Sequence, residues 1–185
     1  MKDLEELKNI IRLKEIYRTG VVKDRHESDA EHSWACMALA EYFLKRVEEP
    51  LDELKVLKLL LYHDVIELET GDVDALDEAK RLGKSEREMD GSKVLAKKLP
   101  QDLSDEFVSL FDEYEKGVTP ESKFCRAIDD LEPMIHWAVY APDWKGRGWT
   151  ESKLREKKHA HLVHFPVMLD FFEDMVKELK KKGNI

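Results

Sequence analysis

Apolar positions recur along the chain at three- and four-residue intervals, and the polar stretches between them divide it into helices. Leu4, Leu7 and Ile11 follow this spacing toward Tyr17, with Asp3 and Glu6 as a capping pair, and predict a first helix. The charged stretch from Arg18 to Glu27 reads as a loop. It ends in Ser28-Asp29-Ala30-Glu31, a capping box that opens a second helix carrying Leu39, Tyr42 and Phe43 and places His32 in the first turn. Pro50 and Asp52 open a third, in which Leu54, Leu57, Leu61 and Val65 form one stripe while Val56, Leu59, Leu60 and Ile66 cover much of the rest. A helix apolar nearly all round is a buried, central one. Thr70-Gly71 ends it, with glycine free to take a left-handed conformation, and Asp72 lies just beyond.

Amphipathic segments follow from Ser85 to Leu99, with Ser85 and Glu88 as a capping box, and from Asp102 to Lys116, with Leu103, Phe107, Leu110 and Tyr114 inward. Pro100 separates them. Thr119-Pro120 opens a helix through Phe124, Ile128 and Leu131, where Pro133 cannot bond to the carbonyl of Asp129 and predicts a kink. Ala141 to Thr150 is the clearest loop; the last helical region breaks near Pro166 and ends in Leu169, Phe172, Val176 and Leu179. No strand pattern or repeat is visible. The expectation is an all-α bundle of about seven or eight helices, one domain over residues 1–185 with the helices of 150–182 packed on the rest.

Composition narrows the function. Apolar residues make up 42% and charged residues 38%, with only 8 Gly and 6 Pro, which suits amphipathic helices. A net charge of −9 argues against a nucleic-acid polymer as partner, since that affinity rests on clustered Lys and Arg. A small anion held through a metal ion stays open, because the ion supplies the local positive field. Met1 to Lys8 lacks a signal-peptide pattern and the longest apolar runs, such as Leu59 to Tyr62, fall far short of the roughly 20 residues that cross a bilayer. Cys36 and Cys125 have no C-x-x-C spacing. These features predict a soluble, cytoplasmic protein without membrane contact.

His63-Asp64 is the strongest chemical signal, because a carboxylate at the end of a buried helix is costly unless paired or bound to metal. Glu67 lies three residues after Asp64 and shares its face. Alone, the pair is as readily a buried histidine satisfied by an acid. Company comes from His32, one helix earlier, and Asp129, on a helix whose other face holds Phe124, Ile128 and Leu131. Two imidazoles and two carboxylates make a mixed nitrogen and oxygen site suited to one divalent ion: manganese, cobalt, iron, zinc or magnesium.

The order His32, His63-Asp64, Asp129 resembles the H…HD…D signature of the HD-domain phosphohydrolase superfamily. Arg18-Thr19-Gly20, Glu27 to Trp34, His63-Asp64-Val65-Ile66-Glu67, Gly71-Asp72 and Ala127 to Pro133 look like its small 5′-deoxynucleotidase branch. The resemblance implies a helical domain that uses a divalent ion to hydrolyse nucleoside 5′-monophosphates. It implies His32, His63, Asp64 and Asp129 as ligands, Glu67 and Asp72 as acids that orient or activate water, and Arg18 as a phosphate contact. It also implies a homo-oligomer, a dimer. Two departures stand out. Asp130 occupies the place of a frequent family Lys, which leaves Asp129 and Asp130 as alternatives for the last ligand, and Thr19 replaces an aromatic residue implicated in choosing deoxyribose.

Dinuclear relatives need further histidines between the His-Asp pair and the last Asp, and none occurs from Val65 to Ile135. The rivals are a non-catalytic, metal-stabilised module that binds a nucleotide or a protein, and a hydrolase of another small ester such as a nucleoside triphosphate. The joint presence of Glu67, Asp72 and Arg18 favours an enzyme. Lys23, Arg25 and His26 share the Arg18 loop and could face substrate; His136 reads as structural, and His159, His161 and His164, among lysines, as a solvated surface.

Overall fold

The computed structural model of the protein describes residues 2–140 and 143–185. In chain order its elements are α1 (Lys2–Ile11), a 3-10 turn (Arg12–Glu15), β1 (Tyr17–Val22), β2 (Arg25–Ser28), α2 (Asp29–Leu44), α3 (Glu53–Tyr62), α4 (Glu67–Thr70), α5 (Glu78–Arg81), α6 (Lys84–Ala96), α7 (Gln101–Lys116), α8 (Pro120–Tyr140), α9 (Glu151–Leu162) and α10 (Pro166–Lys181). Eight of these helices have ten residues or more, so the all-helical bundle expected from the periodicity is present. Among the described residues no helix is long and apolar enough to cross a membrane.

The core lies between α2, α3, α7, α8 and α10. Phe43, Leu59, Leu60, Phe107, Phe124, Ile128, Leu131 and Phe172 are all almost fully buried, each worth roughly 1.5–3 kcal/mol relative to exposure. Aromatic edges lock neighbouring helices: Phe43 meets Phe171 and Phe124 meets Phe165, the latter at 5.4 Å and 90°. The caps predicted for α2 and α8 form: Glu31 N–H donates to Ser28 Oγ while Ser28 N–H donates to Glu31, and Ser122 N–H donates to Thr119 Oγ1. α8 continues through Pro133 as one helix.

Several expectations are corrected. The stretch read as a loop, Arg18 to Glu27, lies in an antiparallel hairpin that pairs Val21 with His26 and Val22 with Arg25. Its Lys23-Asp24 turn puts Lys23 at φ 58 without a glycine to announce it, so the charge run hides the strands. The third helix does not run to Thr70. It stops at Tyr62, and two tight turns (Val65 N–H to Tyr62 O, Glu67 N–H to Asp64 O) carry the chain to the one-turn α4. Apolar spacing continues across this break, which is why the pattern conceals it. Gly71 ends α4 at φ 72, ψ 150, a region essentially confined to glycine but not the left-handed helical one.

Smaller differences have local causes. Ser85 does not cap α6: the helix begins at Lys84 with Gly83 as its cap, so Ser85 lies inside the first turn, and Glu88 pairs with Lys84 instead. α5 is an additional turn capped by Asp77. Asp3 lies within α1, whose stripe Leu4, Leu7 and Ile11 stays exposed. Of the loop predicted over 141–150, Ala141 and Pro142 lie outside the described residues; from Asp143 on, the chain turns back and buries Trp144 and Trp149.

Candidate active site

The hairpin, the α3–α4 break and α8 converge on one cleft of about 260 Å³, with Arg18, Asp64, Glu67, Asp72 and Asp129 in its lining. Each arrives for a local reason. The capping box of α2 fixes its first turn, so Asp29 and His32 point inward and are fully buried. Ending α3 at Tyr62 frees the carbonyl of Leu60, and His63 Nδ1 donates to it at 2.8 Å. That bond directs the other nitrogen, Nε2, into the site, where it is buried without a hydrogen-bond partner. His32 is held the same way: its Nδ1 donates to Glu132 at 2.7 Å, leaving Nε2 toward Asp129 Oδ1 at 3.0 Å.

Four donor atoms therefore gather. His32 Nε2 lies 3.7 Å from Asp64 Oδ2, and His63 Nε2 lies 3.4 Å from Asp64 Oδ2 and 3.8 Å from Asp129 Oδ1. Such spacings are those of donors each about 2.0–2.2 Å from a shared ion. Two imidazoles with outward tautomers fixed by second partners, one of them an orphan, fit a single divalent cation. Burial pushes both carboxyls up, but His63 and Arg18 outweigh it at Asp64, as do the His32 hydrogen bond and both histidines at Asp129. Asp64 is held below the usual range and Asp129 well below it. Both are thus ionised acceptors. A buried orphan polar atom costs on the order of 1–3 kcal/mol, which a ligating cation at His63 would relieve.

The structure also separates Asp129 from Asp130. Tyr114 O–H donates to Asp129 Oδ2 at 2.9 Å on the site side, whereas Asp130 turns to α9 and accepts from His161 Nδ1 at 2.6 Å. Cys36 reaches His32, but its sulfur lies 3.9 and 3.5 Å from the two ring nitrogens, against the ring rather than at its tip, and burial pushes the thiol up to about 12.

Around the cluster stand the remaining groups. Arg18 donates from Nη1 to Asp64 Oδ2 at 2.9 Å and to Asp29 Oδ1 at 3.2 Å, and Asp72 lies 3.9 Å away. Its guanidinium is thus ringed by acids. Burial raises the Asp29 carboxyl to about 8, the charge of Asp64 adding to the shift and that of Arg18 opposing it. Glu67 is 2% exposed and accepts from Thr70 Oγ1 at 2.8 Å and Lys84 Nζ at 3.0 Å. Burial lifts its carboxyl to about 7 despite Lys84. Burial likewise raises Asp72, against the lowering charge of Arg18.

Lys23 and Arg25 stand on the exposed hairpin tip, Arg25 paired with Glu31, and neither lines the cleft; nor does His26. His161, read above as solvated, does line it, together with Lys158 and His136. His136 holds Glu27 at 3.1 Å and Val21 O at 3.0 Å, tying α8 to the hairpin. A Cβ at Gly20 would stand 3.0 Å from that imidazole and 3.1 Å from Glu27, so the close approach needs glycine. Tyr114 is an inward residue and Glu132 lies in the Ala127 to Pro133 stretch, but nothing local in the sequence marks a phenol or an acid there as the partner of a ligand.

A family model described as the HD domain matches residues 10–177. The chain belongs to the HD-domain family. Two curated relatives are the 5′-deoxynucleotidase HDDC2 of Bos taurus and that of Homo sapiens, each 31% identical over 140 residues, covering 74% of this chain and 67% of the relative. Among solved structures, a predicted metal-dependent phosphohydrolase from Magnetospirillum magnetotacticum MS-1 superposes with a TM-score of 0.86 at 28% identity, over 100% of this chain and 96% of that one. This HD domain is a metal-dependent phosphohydrolase with a clustered site for one divalent ion.

Proposed function

We propose that the enzyme is a 5′-nucleotidase of the deoxynucleotidase type, releasing phosphate from nucleoside 5′-monophosphates in a single domain spanning residues 1–185. His32, His63, Asp64 and Asp129 hold its ion. The observation that carries the reading is the orphaned His63 Nε2, buried among three further donors of which Asp64 and Asp129 line a cleft that also holds acids and arginine. The 5′-deoxynucleotidase relatives support the choice of substrate. A cleft of about 260 Å³ suits a small ester better than a polymer.

When bound, the ion lowers the pKa of water and polarises a phosphoryl oxygen. The chain does the rest. Glu67, poised near neutrality at about 7, takes the proton of the attacking water. Asp72, returned to the cleft by Gly71, orients that water, and Arg18 exchanges its bond to Asp64 for a phosphoryl oxygen. Glu132 keeps His32 in the ligating tautomer.

The test is phosphate release from a panel of ribo- and deoxyribonucleoside monophosphates after metal removal and re-addition. The expected result is no turnover without metal, recovery with at least one divalent ion, and activity on 5′-monophosphates. Phosphate release from triphosphates or other esters alone would redirect the substrate assignment, and inactivity toward all of them with every metal would leave a binding module.

A further inference from the structure

Lys158 takes no part in the chemistry above, yet its position is unusual. On α9 the residues Leu154, Lys158 and Leu162 stand at i, i+4 and i+8, and all three are buried. A lysine therefore occupies the core-facing stripe of the helix. Lysine is almost never fully buried unless paired, and its ammonium carries three donors that need acceptors. Its side chain is only 9% exposed, and the carboxylate it meets is that of Asp130, with Oδ1 at 3.5 Å. The other oxygen of Asp130 is already committed to His161. Among the described residues no acceptor lies within firm hydrogen-bonding distance of Nζ, and the residue opens onto the cleft that contains Asp64 and Asp129.

A lysine with a largely buried stem, its ammonium at the wall of the cleft with one carboxylate 3.5 Å away, has donors to spare for an anion there. The need is real on the other side as well: Glu27, Asp64, Glu67, Asp72 and Asp129 all line the cleft and repel a phosphate ester. Arg18 is shared among those acids, whereas Lys158 has one distant carboxylate. Lys157 and His161 border the same wall and add donors beside it. We propose that Lys158 binds a phosphoryl oxygen of the substrate, as a second anchor besides Arg18. The assignment rests on the phosphate-ester reading of the cleft and not on which nucleoside the ester carries.

Inorganic phosphate and p-nitrophenyl phosphate, which lack a nucleoside, isolate this role. Lys158→Met is expected to weaken phosphate binding by about 10–100-fold in calorimetry of the metal-loaded protein, and to raise KM for p-nitrophenyl phosphate and for a deoxynucleoside monophosphate by the same factor. Metal content and thermal midpoint stay at wild-type values, and Lys158→Arg restores most of the affinity. Lys158→Gln is read the same way should methionine impair folding. Adding Asp130→Asn separates anchoring from mere neutralisation of Asp130: the double variant Lys158→Met/Asp130→Asn is expected to recover only the small part that removing one repelling carboxylate gives and to stay well below wild type. Unchanged phosphate affinity in the single variants, full restoration in the double variant, or a loss confined to nucleotides would each overturn the proposal. A wild-type enzyme that turns over p-nitrophenyl phosphate but no nucleotide would sink the nucleotidase assignment and leave this one standing.

Discussion

Asp64→Ala is expected to empty the enzyme of its ion and to lower phosphate release about a thousandfold or more, since the cation supplies several kcal/mol of transition-state stabilisation. The reason is positional. Asp64 Oδ2 lies 3.7 and 3.4 Å from the two imidazole nitrogens, so its loss leaves two neutral donors and a single carboxylate. It also deprives Arg18 of its shortest ion pair, and the freed guanidinium then adds positive charge to a site meant for a cation. Metal analysis of the purified variant checks the first effect, and steady-state phosphate release the second. A variant with full metal content and near-normal turnover would remove Asp64 from the ligand set.

Glu67→Gln should do the opposite to metal and the same to rate. Metal content stays near wild type, while turnover falls by roughly 10²–10⁴-fold, the usual range for a positioned acid or base. Because a base works ionised, the wild-type rate should climb with pH as the raised Glu67 carboxyl ionises, and the glutamine variant should lose that limb. Stability runs the other way. Burial raises the Glu67 pKa from 4.5 to about 7 in the folded chain. The protonated acid therefore favours folding below pH 4.5, and that stabilisation is lost as pH rises through 7, an effect of about 3 kcal/mol. Glutamine abolishes the slope, so the metal-free variant should exceed the wild type in stability at pH 8. Denaturant unfolding at pH 5 and pH 8 reads this directly. Equal metal loss in the Glu67 and Asp64 variants would contradict the division of labour.

The helices were legible wherever packing follows a simple period. α7, α8 and α10 carry their apolar stripes and, for α8, the Thr119-Pro120 start in plain view. The two failures near the site share a cause. The hairpin is built from charged residues around a turn without glycine, and the break after Tyr62 is imposed by a tertiary demand, the seating of His63 and Asp64 in the cleft, that apolar spacing does not record. The four side chains at positions 32, 63, 64 and 129 were visible as a set because their types and order form a pattern. Glu132, Tyr114 and Lys158 were not, since each matters only through a neighbour more than ten residues away in the chain.

If one cation joins His32, His63, Asp64 and Asp129, all of the site's chemistry depends on it. Anomalous diffraction from crystals of the manganese-loaded enzyme would locate that cation. One strong peak per chain is expected, within about 2.0–2.3 Å of both Nε2 atoms and of one oxygen from each aspartate. The buried group Glu27, Glu132 and His136 also brings three potential ligand atoms together. A peak there instead, with none between the two imidazoles, would rule out the four-residue site.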